Sequence, residues 1–388
     1  MSSLTPLPTE VLPSGVRSRF VAGVNGLRMH ILEAGFEKPD RPLALLLHGF
    51  PELAYSWRHV LLPLAAEGFH VVAPDMRGYG RTTGWRADYD QDLRPFSLLG
   101  LVRDTLALVY ALGARSVATV VGHDFGSPVA AWSALVHPDV FRSVVMMSAP
   151  FAGPPELQTG AQDGKAAGRV NAFANLAAAL AQLDPQRKHY MLYYGTPAAN
   201  ADMTSSAQGL HAFLRAYFHH KSGDWAGNKP FPLKELSATQ LAQLPTYYVM
   251  NANRTMPETV APFMPSAAEI AACRWLPDEE LAVYAAEYER SGFQGALNWY
   301  RAQFDAALND ELALFANRKI DVPSLFLAGK SDWGIYQAPG AFERMQTHAC
   351  SDMRGCHLIA SAGHWVMQER PEDVAALLIE FLRRQAGH

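Results

Sequence analysis

Short, uninterrupted apolar runs recur along the first part of the chain, at Leu43 to Leu47, Val71 to Ala73, Val117 to Val121 and Ser143 to Ser148. Runs of this length without alternation suit strands buried on both faces of a parallel sheet. Ahead of them, Arg19 to Val24 and Leu27 to Glu33 flank Asn25-Gly26, a strong type I′ turn signal, and predict a hairpin. Leu98 to Leu112 and Ser127 to Val136 carry apolar residues in the manner of helices, on either side of the third run. After Pro150 the texture changes to Ala, Gln, Met and aromatic residues with helical periodicity, and no strand is predicted up to about Gly292. Strand texture returns at Val322 to Ala328 and at Cys356 to Ile359, and Pro371 to Arg384 reads as a closing amphipathic helix. This pattern predicts one α/β domain, residues 1–150 and 293–388, with a mostly parallel central sheet flanked by helices. Residues 151–292 would form an inserted helical lid. Two independent domains would leave the last two strands without a sheet.

Sites in such sheets lie beyond the carboxyl ends of the strands, so the polar residues there are the candidates. The third run ends in Gly122-His123-Asp124-Phe125-Gly126, which has the shape of a nucleophile elbow with a carboxylate where serine usually sits. Small neighbours are needed because that turn is sharp and strained. Asp is also a favoured helix N-cap, so Asp124 alone would decide nothing. Its companions do: Asp332 follows the run ending at Ala328, and His364 follows the run ending at Ile359. Asp124, Asp332 and His364 stand in the nucleophile–acid–base order of this kind of fold. A carboxylate nucleophile points away from serine-type ester hydrolysis and toward displacement at saturated carbon through an alkyl ester.

Composition narrows the partners. A net charge of −4 and a pI near 6.4 supply no basic field for nucleic acid or anionic lipid. No apolar run reaches membrane-spanning length, and Met1 to Glu10 lacks the pattern of a secretory signal. Cys273, Cys350 and Cys356 form no disulfide framework, so a cytoplasmic location is expected. His211 and the pair His219-His220 lack a metal-binding spacing.

Beyond the elbow, His48-Gly49-Phe50-Pro51-Glu52 and Asp75-Met76-Arg77-Gly78-Tyr79-Gly80 follow the first two runs. The lid carries Tyr190-Met191-Leu192-Tyr193-Tyr194-Gly195-Thr196-Pro197. Farther on come Tyr284, Ser291-Gly292-Phe293 and Leu297-Asn298-Trp299-Tyr300-Arg301. On these segments the chain resembles, over nearly its full length, the epoxide hydrolases of the α/β-hydrolase fold. Phe125 departs from the pattern, since many relatives have Trp beside the nucleophile. The resemblance implies Asp124 as nucleophile, His364 as base and Asp332 as the acid orienting it. It implies an oxyanion hole from the backbone N–H groups of Phe50 and Phe125, with His48, Pro51 and Trp365 in the substrate pocket. It puts the two lid tyrosines that protonate the epoxide oxygen at Tyr193 and Tyr284, with Tyr194 and Tyr288 as the first alternatives. The expected partners are an apolar epoxide and water, with no metal or organic cofactor. A homodimer is compatible with this chain, and nothing in the sequence decides it. The rival reading on the same scaffold is a haloalkane or haloacid dehalogenase. Such sites use Trp or Asn N–H donors for the halide, where this chain has Phe125 and Phe50-Pro51-Glu52. A catalytically silent binding member of the fold would lack a triad residue, and none is missing.

Overall fold

The structure, a computed structural model, describes residues 4–155 and 166–386. Six strands precede the inserted segment: β1 Arg17–Val24, β2 Leu27–Ala34, β3 Leu43–Leu47, β4 His70–Pro74, β5 Val117–His123 and β6 Val144–Met147. Within it lie β7 Arg187–His189 and β8 Val249–Asn251, and after it come β9 Ser324–Gly329 and β10 Met353–Ile359. Eight strands form one sheet in the order β1-β2-β4-β3-β5-β6-β9-β10. The β1/β2 and β2/β4 pairs are antiparallel, and the remaining pairs are parallel.

The predicted hairpin turns at Asn25 and Gly26, both with positive φ (49° and 81°), as a type I′ turn requires. All five residues of β3 are buried, as are Val120, Val121 and the whole of β6. Each Val or Leu so removed from water contributes about 1.5–3 kcal/mol, which is why these runs occupy the middle of the sheet. The helix Leu98–Ala111 starts where Ser97 accepts a capping hydrogen bond from Gly100 N–H. The last strand begins at Met353, three residues before the apolar run suggests, because it is an edge strand whose exposed residues carry no continuous apolar signal.

The inserted segment is mainly helical, including Ala166–Ala181, Tyr190–Tyr194, Ala199–Thr204, Leu210–Lys221 and Asp278–Ser291. The expectation that it holds no strand is corrected by the antiparallel ribbon β7/β8. Three-residue strands are too short to leave a periodic signature. The ribbon matters all the same: β7 ends at His189, and Tyr190 N–H then donates to Tyr248 O (2.9 Å), which fixes the start of the next helix. Among the described residues, no helix is long and apolar enough to cross a membrane.

The chain runs from β3 outward to β4, then returns past β3 to form β5 on its other side. That reversal leaves a crevice at the carboxyl ends of β3 and β5, the place where open α/β sheets bind ligands. The loops leaving these two strands carry Phe50 and Asp124.

Candidate active site

Asp124 sits between β5 and the helix Gly126–Val136 with φ 51°, a conformation costly for a side-chain-bearing residue and tolerated only where the surroundings enforce it. Its neighbours show the constraint. A Cβ on Gly122 would stand 2.0 Å from Gly126 O, and one on Gly126 would stand 2.5 Å from Leu47 O. A Cβ on Gly49 would meet Asp124 Oδ1 at 2.4 Å. The spacing of small residues is therefore dictated by the contact of the elbow with β3.

Phe50 N–H donates to Asp124 Oδ1 (2.9 Å), and His364 Nε2 lies 3.2 Å from Asp124 Oδ2. On the far side of the imidazole, Nδ1–H points to Asp332 Oδ1 at 3.0 Å, which leaves Nε2 facing Asp124. Asp332 also accepts from Gly334 N–H (2.7 Å) and from the Ser148 hydroxyl, whose oxygen is 2.8 Å from His364 Nδ1. Ser148, at the end of β6 with φ 69°, is a positioning residue that sequence reasoning did not single out. Burial alone would raise both carboxyls. The hydrogen bond and charge of His364, with Lys221 and His123 at longer range, hold Asp124 well below the usual carboxylate range. The charge and hydrogen bond of His364, together with Ser148 and Gly334 N–H, hold Asp332 down.

A second buried pair supports the histidine loop. His123 Nδ1 is 2.5 Å from Glu52 Oε2, and its Nε2 is 2.7 Å from the carbonyl oxygen of His364. Both partners are acceptors, so both ring nitrogens donate and the imidazole is protonated. Burial opposes that charge, and Glu52 restores it and moves the His123 pKa upward. Because Glu52 belongs to the Phe50 loop, one imidazolium ties that loop to the backbone carrying His364.

A cavity of about 400 Å³ opens on Asp124. Phe125, Pro128, Pro150, Phe173, Leu176, Met191, Leu241 and Phe304 make it apolar, and two phenols reach it, Tyr190 and Tyr300. These are not the two expected from sequence. Tyr193 donates to Asp202 Oδ2 (3.0 Å), and Tyr284 lies between Ser56 Oγ (2.8 Å) and Gln368 Oε1 (2.9 Å). Neither lines the cavity. Three residues along a helix fall about 60° short of a full turn, which carries Tyr193 off the face of Tyr190 and toward the helix Ala199–Thr204. The hydroxyl of Tyr194 is given to Tyr217 (3.3 Å), and the ring of Tyr288 stacks on Phe293. Tyr300 is held by its neighbours: Trp299 Nε1–H donates to Arg77 O (2.8 Å), and Arg301 stacks on Tyr89. Burial first, then the charge of Asp124, pushes the Tyr190 and Tyr300 hydroxyls well above an ordinary phenol.

The expected pocket residues His48, Pro51 and Trp365 do not line this cavity either. His48 accepts from Met76 N–H (3.0 Å) and donates to Gly49 O (2.9 Å), bracing the loop after β3. Trp365 is buried and donates to Phe218 O (2.8 Å), while Pro51 is buried behind Phe50. Phe125 does line the cavity, its ring edge-on to Trp299 and Tyr300. Among the described residues, no cluster of His, Cys, Asp or Glu could hold a metal ion.

This arrangement sets a pH expectation for attack by Asp124. The carboxyl is held down, so it stays ionised as pH falls through the ordinary value near 4. The phenols are pushed up, so they stay protonated as pH rises through about 10. The single-turnover rate of enzyme alkylation should be flat from roughly pH 5 to 9. An acid or a basic limb inside that window would contradict these assignments.

Residues 42–371 match the family model described as alpha/beta hydrolase fold. Epoxide hydrolase B of Mycobacterium tuberculosis is 32% identical over 370 residues, covering 93% of this chain and 97% of the relative. Epoxide hydrolase A of the same organism is 33% identical over 372 residues, covering 95% and 98%. A solved epoxide hydrolase from an endophytic Streptomyces superposes with a TM-score of 0.77 at 31% identity, covering 97% of each chain. This chain belongs to the epoxide hydrolases of the α/β-hydrolase fold.

Proposed function

We propose that the protein converts an apolar epoxide and water into a vicinal diol through an alkyl ester on Asp124, with residues 151–292 acting as the cap over a 1–150 and 293–388 core. The observation that carries this reading is one cavity lined by a carboxylate and two phenols, Asp124, Tyr190 and Tyr300, with His364 and Asp332 behind the carboxylate. Oδ1 of Asp124 already accepts from Phe50 N–H, so Oδ2, beside His364 Nε2, is the oxygen left to attack a ring carbon. As the C–O bond breaks, the departing alkoxide is a strong base and takes a proton from Tyr190 or Tyr300. The resulting ester keeps its carbonyl oxygen at Phe50 N–H, with Phe125 N–H as the second donor of the oxyanion hole. His364 then takes a proton from the water that attacks the ester carbon, and Asp332 stabilises the imidazolium. Breakdown of that tetrahedral centre expels the diol oxygen, which takes up a proton from the collapsing centre, and the imidazolium returns its proton to the tyrosinate, so Asp124, His364 and the phenol are all regenerated. The three cysteines are free thiols, which fits a cytoplasmic place of action.

Halide chemistry fits these residues less well. The indoles beside the elbow and beside His364, Trp299 and Trp365, donate to Arg77 O and Phe218 O instead of into the cavity. The test is a panel of aryl, aliphatic and cyclic epoxides assayed beside haloalkanes, with and without chelator. Diol formation that the chelator leaves unchanged is the expected result. Halide release with no diol from any epoxide would move the assignment to a dehalogenase.

A further inference from the structure

The cavity reaches Asp124 from the side of Phe125, Ala149 and Pro150, and we propose that the site selects epoxides whose apolar substituents sit on a single ring carbon, terminal epoxides above all, and rejects those with bulky groups on both carbons. This rests on the epoxide reading of Asp124 and deepens it to a substrate class. In-line attack fixes the ring between the carboxylate and the two phenols. Groups on the two carbons of a trans-disubstituted epoxide then project toward opposite flanks.

On the Phe125 flank an arm finds about 400 Å³ of apolar space, within the usual range for small-molecule sites. The other side of β5, where the loop carrying Phe50 leaves β3, is packed with rings. Phe50, Tyr217 and Trp365 line up there, with ring centroids 6.3 Å apart for Phe50 and Tyr217 and 6.2 Å apart for Tyr217 and Trp365. Trp365 in turn packs on His364 at 4.6 Å. None of the three borders the cavity. Their exposures are 1%, 1% and 0%, so all three rings are closed to solvent.

Behind these rings lies Lys221. Its ammonium stands 5.3 Å from the centre of Tyr217, 5.2 Å from Trp365 and 5.0 Å from Tyr248, and no carboxylate among the described residues is within ion-pair distance. His364 N–H donates to Lys221 O (2.9 Å), which puts the end of the helix Leu210–Lys221 beside the reacting centre. A substituent pushed to this side would have to displace packed aromatic rings and crowd a buried cation whose only close company is aromatic faces. A cation so placed gains from ring quadrupoles and loses heavily when an alkyl group comes between. The barrier is thus a steric and electrostatic penalty against one substrate shape, independent of attraction for the other.

The experiment compares kcat/KM for 1,2-epoxyoctane with its isomer trans-4,5-epoxyoctane, and for styrene oxide with trans-stilbene oxide. Each value is divided by the uncatalysed hydrolysis rate to remove intrinsic reactivity. The terminal member of each pair should be favoured by about 100-fold or more. Tyr217→Ala opens the closed flank and should narrow that preference at least about tenfold, with a melting curve to confirm the fold. Equal normalised values within the pairs would overturn the flank argument while leaving the epoxide reading intact. An unchanged preference in folded Tyr217→Ala would overturn it too. Absence of diol from all four epoxides would sink the epoxide reading and this inference with it.

Discussion

His364→Gln should alkylate itself once and stop. A carboxylate attacks carbon without losing a proton, so the first half-reaction needs no base, whereas hydrolysis of the ester needs one at the water. The distances separate these duties: Nε2 faces Asp124 Oδ2 at 3.2 Å, while Nδ1 is committed to Asp332 and Ser148. Steady-state turnover should fall by roughly 10³–10⁶-fold, the scale on which triad histidines act. Alkylation should slow much less. His364 is the largest of the groups holding the Asp124 carboxyl down, yet Lys221 and His123 remain to keep it ionised. Mixing the variant with substrate should add one substrate mass, located on the peptide containing Asp124, and Asp124→Ala should show neither adduct nor turnover. Wild-type turnover in labelled water should place solvent oxygen in Asp124 first and in the diol only in later cycles, because water attacks the carboxyl carbon. Label in the first-turnover diol, with no trapped adduct, would mean that water opens the epoxide directly and that Asp124 is a base or a helix cap.

The parts of this site that were legible in the sequence are those whose constraints are local. Gly122 and Gly126 must be small because the elbow presses against its own helix and β3, and that pressure leaves a spacing anyone can see. Asp332 and His364 lie in the loops directly after β9 and β10, so an apolar run followed by the carboxylate or imidazole of its loop suffices to locate them. The tyrosines obey a different kind of constraint. Which of Tyr190, Tyr193 and Tyr194 enters the cavity depends on the rotation of a five-residue helix, set by the bond from Tyr190 N–H to Tyr248 O across the ribbon. No periodicity within five residues encodes that rotation. Tyr300 is placed by contacts equally remote in sequence. Its helix meets Gly78 so closely that a Cβ on Gly295 would stand 2.3 Å from Gly78 O, and Trp299 anchors to Arg77. Tyr284 is aromatic, buried and close in sequence, but its hydroxyl serves to join the helix Asp278–Ser291 to Ser56 and Gln368. His48 and Trp365 lie off the cavity lining for a related reason. A polar or aromatic side chain after a strand can face the crevice or brace the loop that forms it, and these two do the second.

The tyrosine assignment yields the sharpest contrast between the sequence reading and the geometry. Tyr190→Phe and Tyr300→Phe should each slow alkylation by about 10²–10³-fold, the cost of removing one donor at a developing oxyanion. The double variant should lose nearly all activity, since no third phenol among the described residues lines the cavity beside Asp124. Folding should survive, because each change removes only a hydroxyl and keeps a ring whose packing against its aromatic neighbours is unaltered. Tyr193→Phe and Tyr284→Phe are the controls. The first loses one hydrogen bond to Asp202 and should leave alkylation within a few-fold of wild type. The second leaves Ser56 and Gln368 short of a buried partner, so it should lower stability by about 1–3 kcal/mol while the rate per folded molecule is retained. The readout is the pre-steady-state alkylation rate of all five variants with one epoxide, beside their melting temperatures. If Tyr193→Phe or Tyr284→Phe lost alkylation while Tyr190→Phe and Tyr300→Phe kept it, the cap would have to rearrange before the substrate reacts, and the donors assigned from this geometry would be the wrong pair.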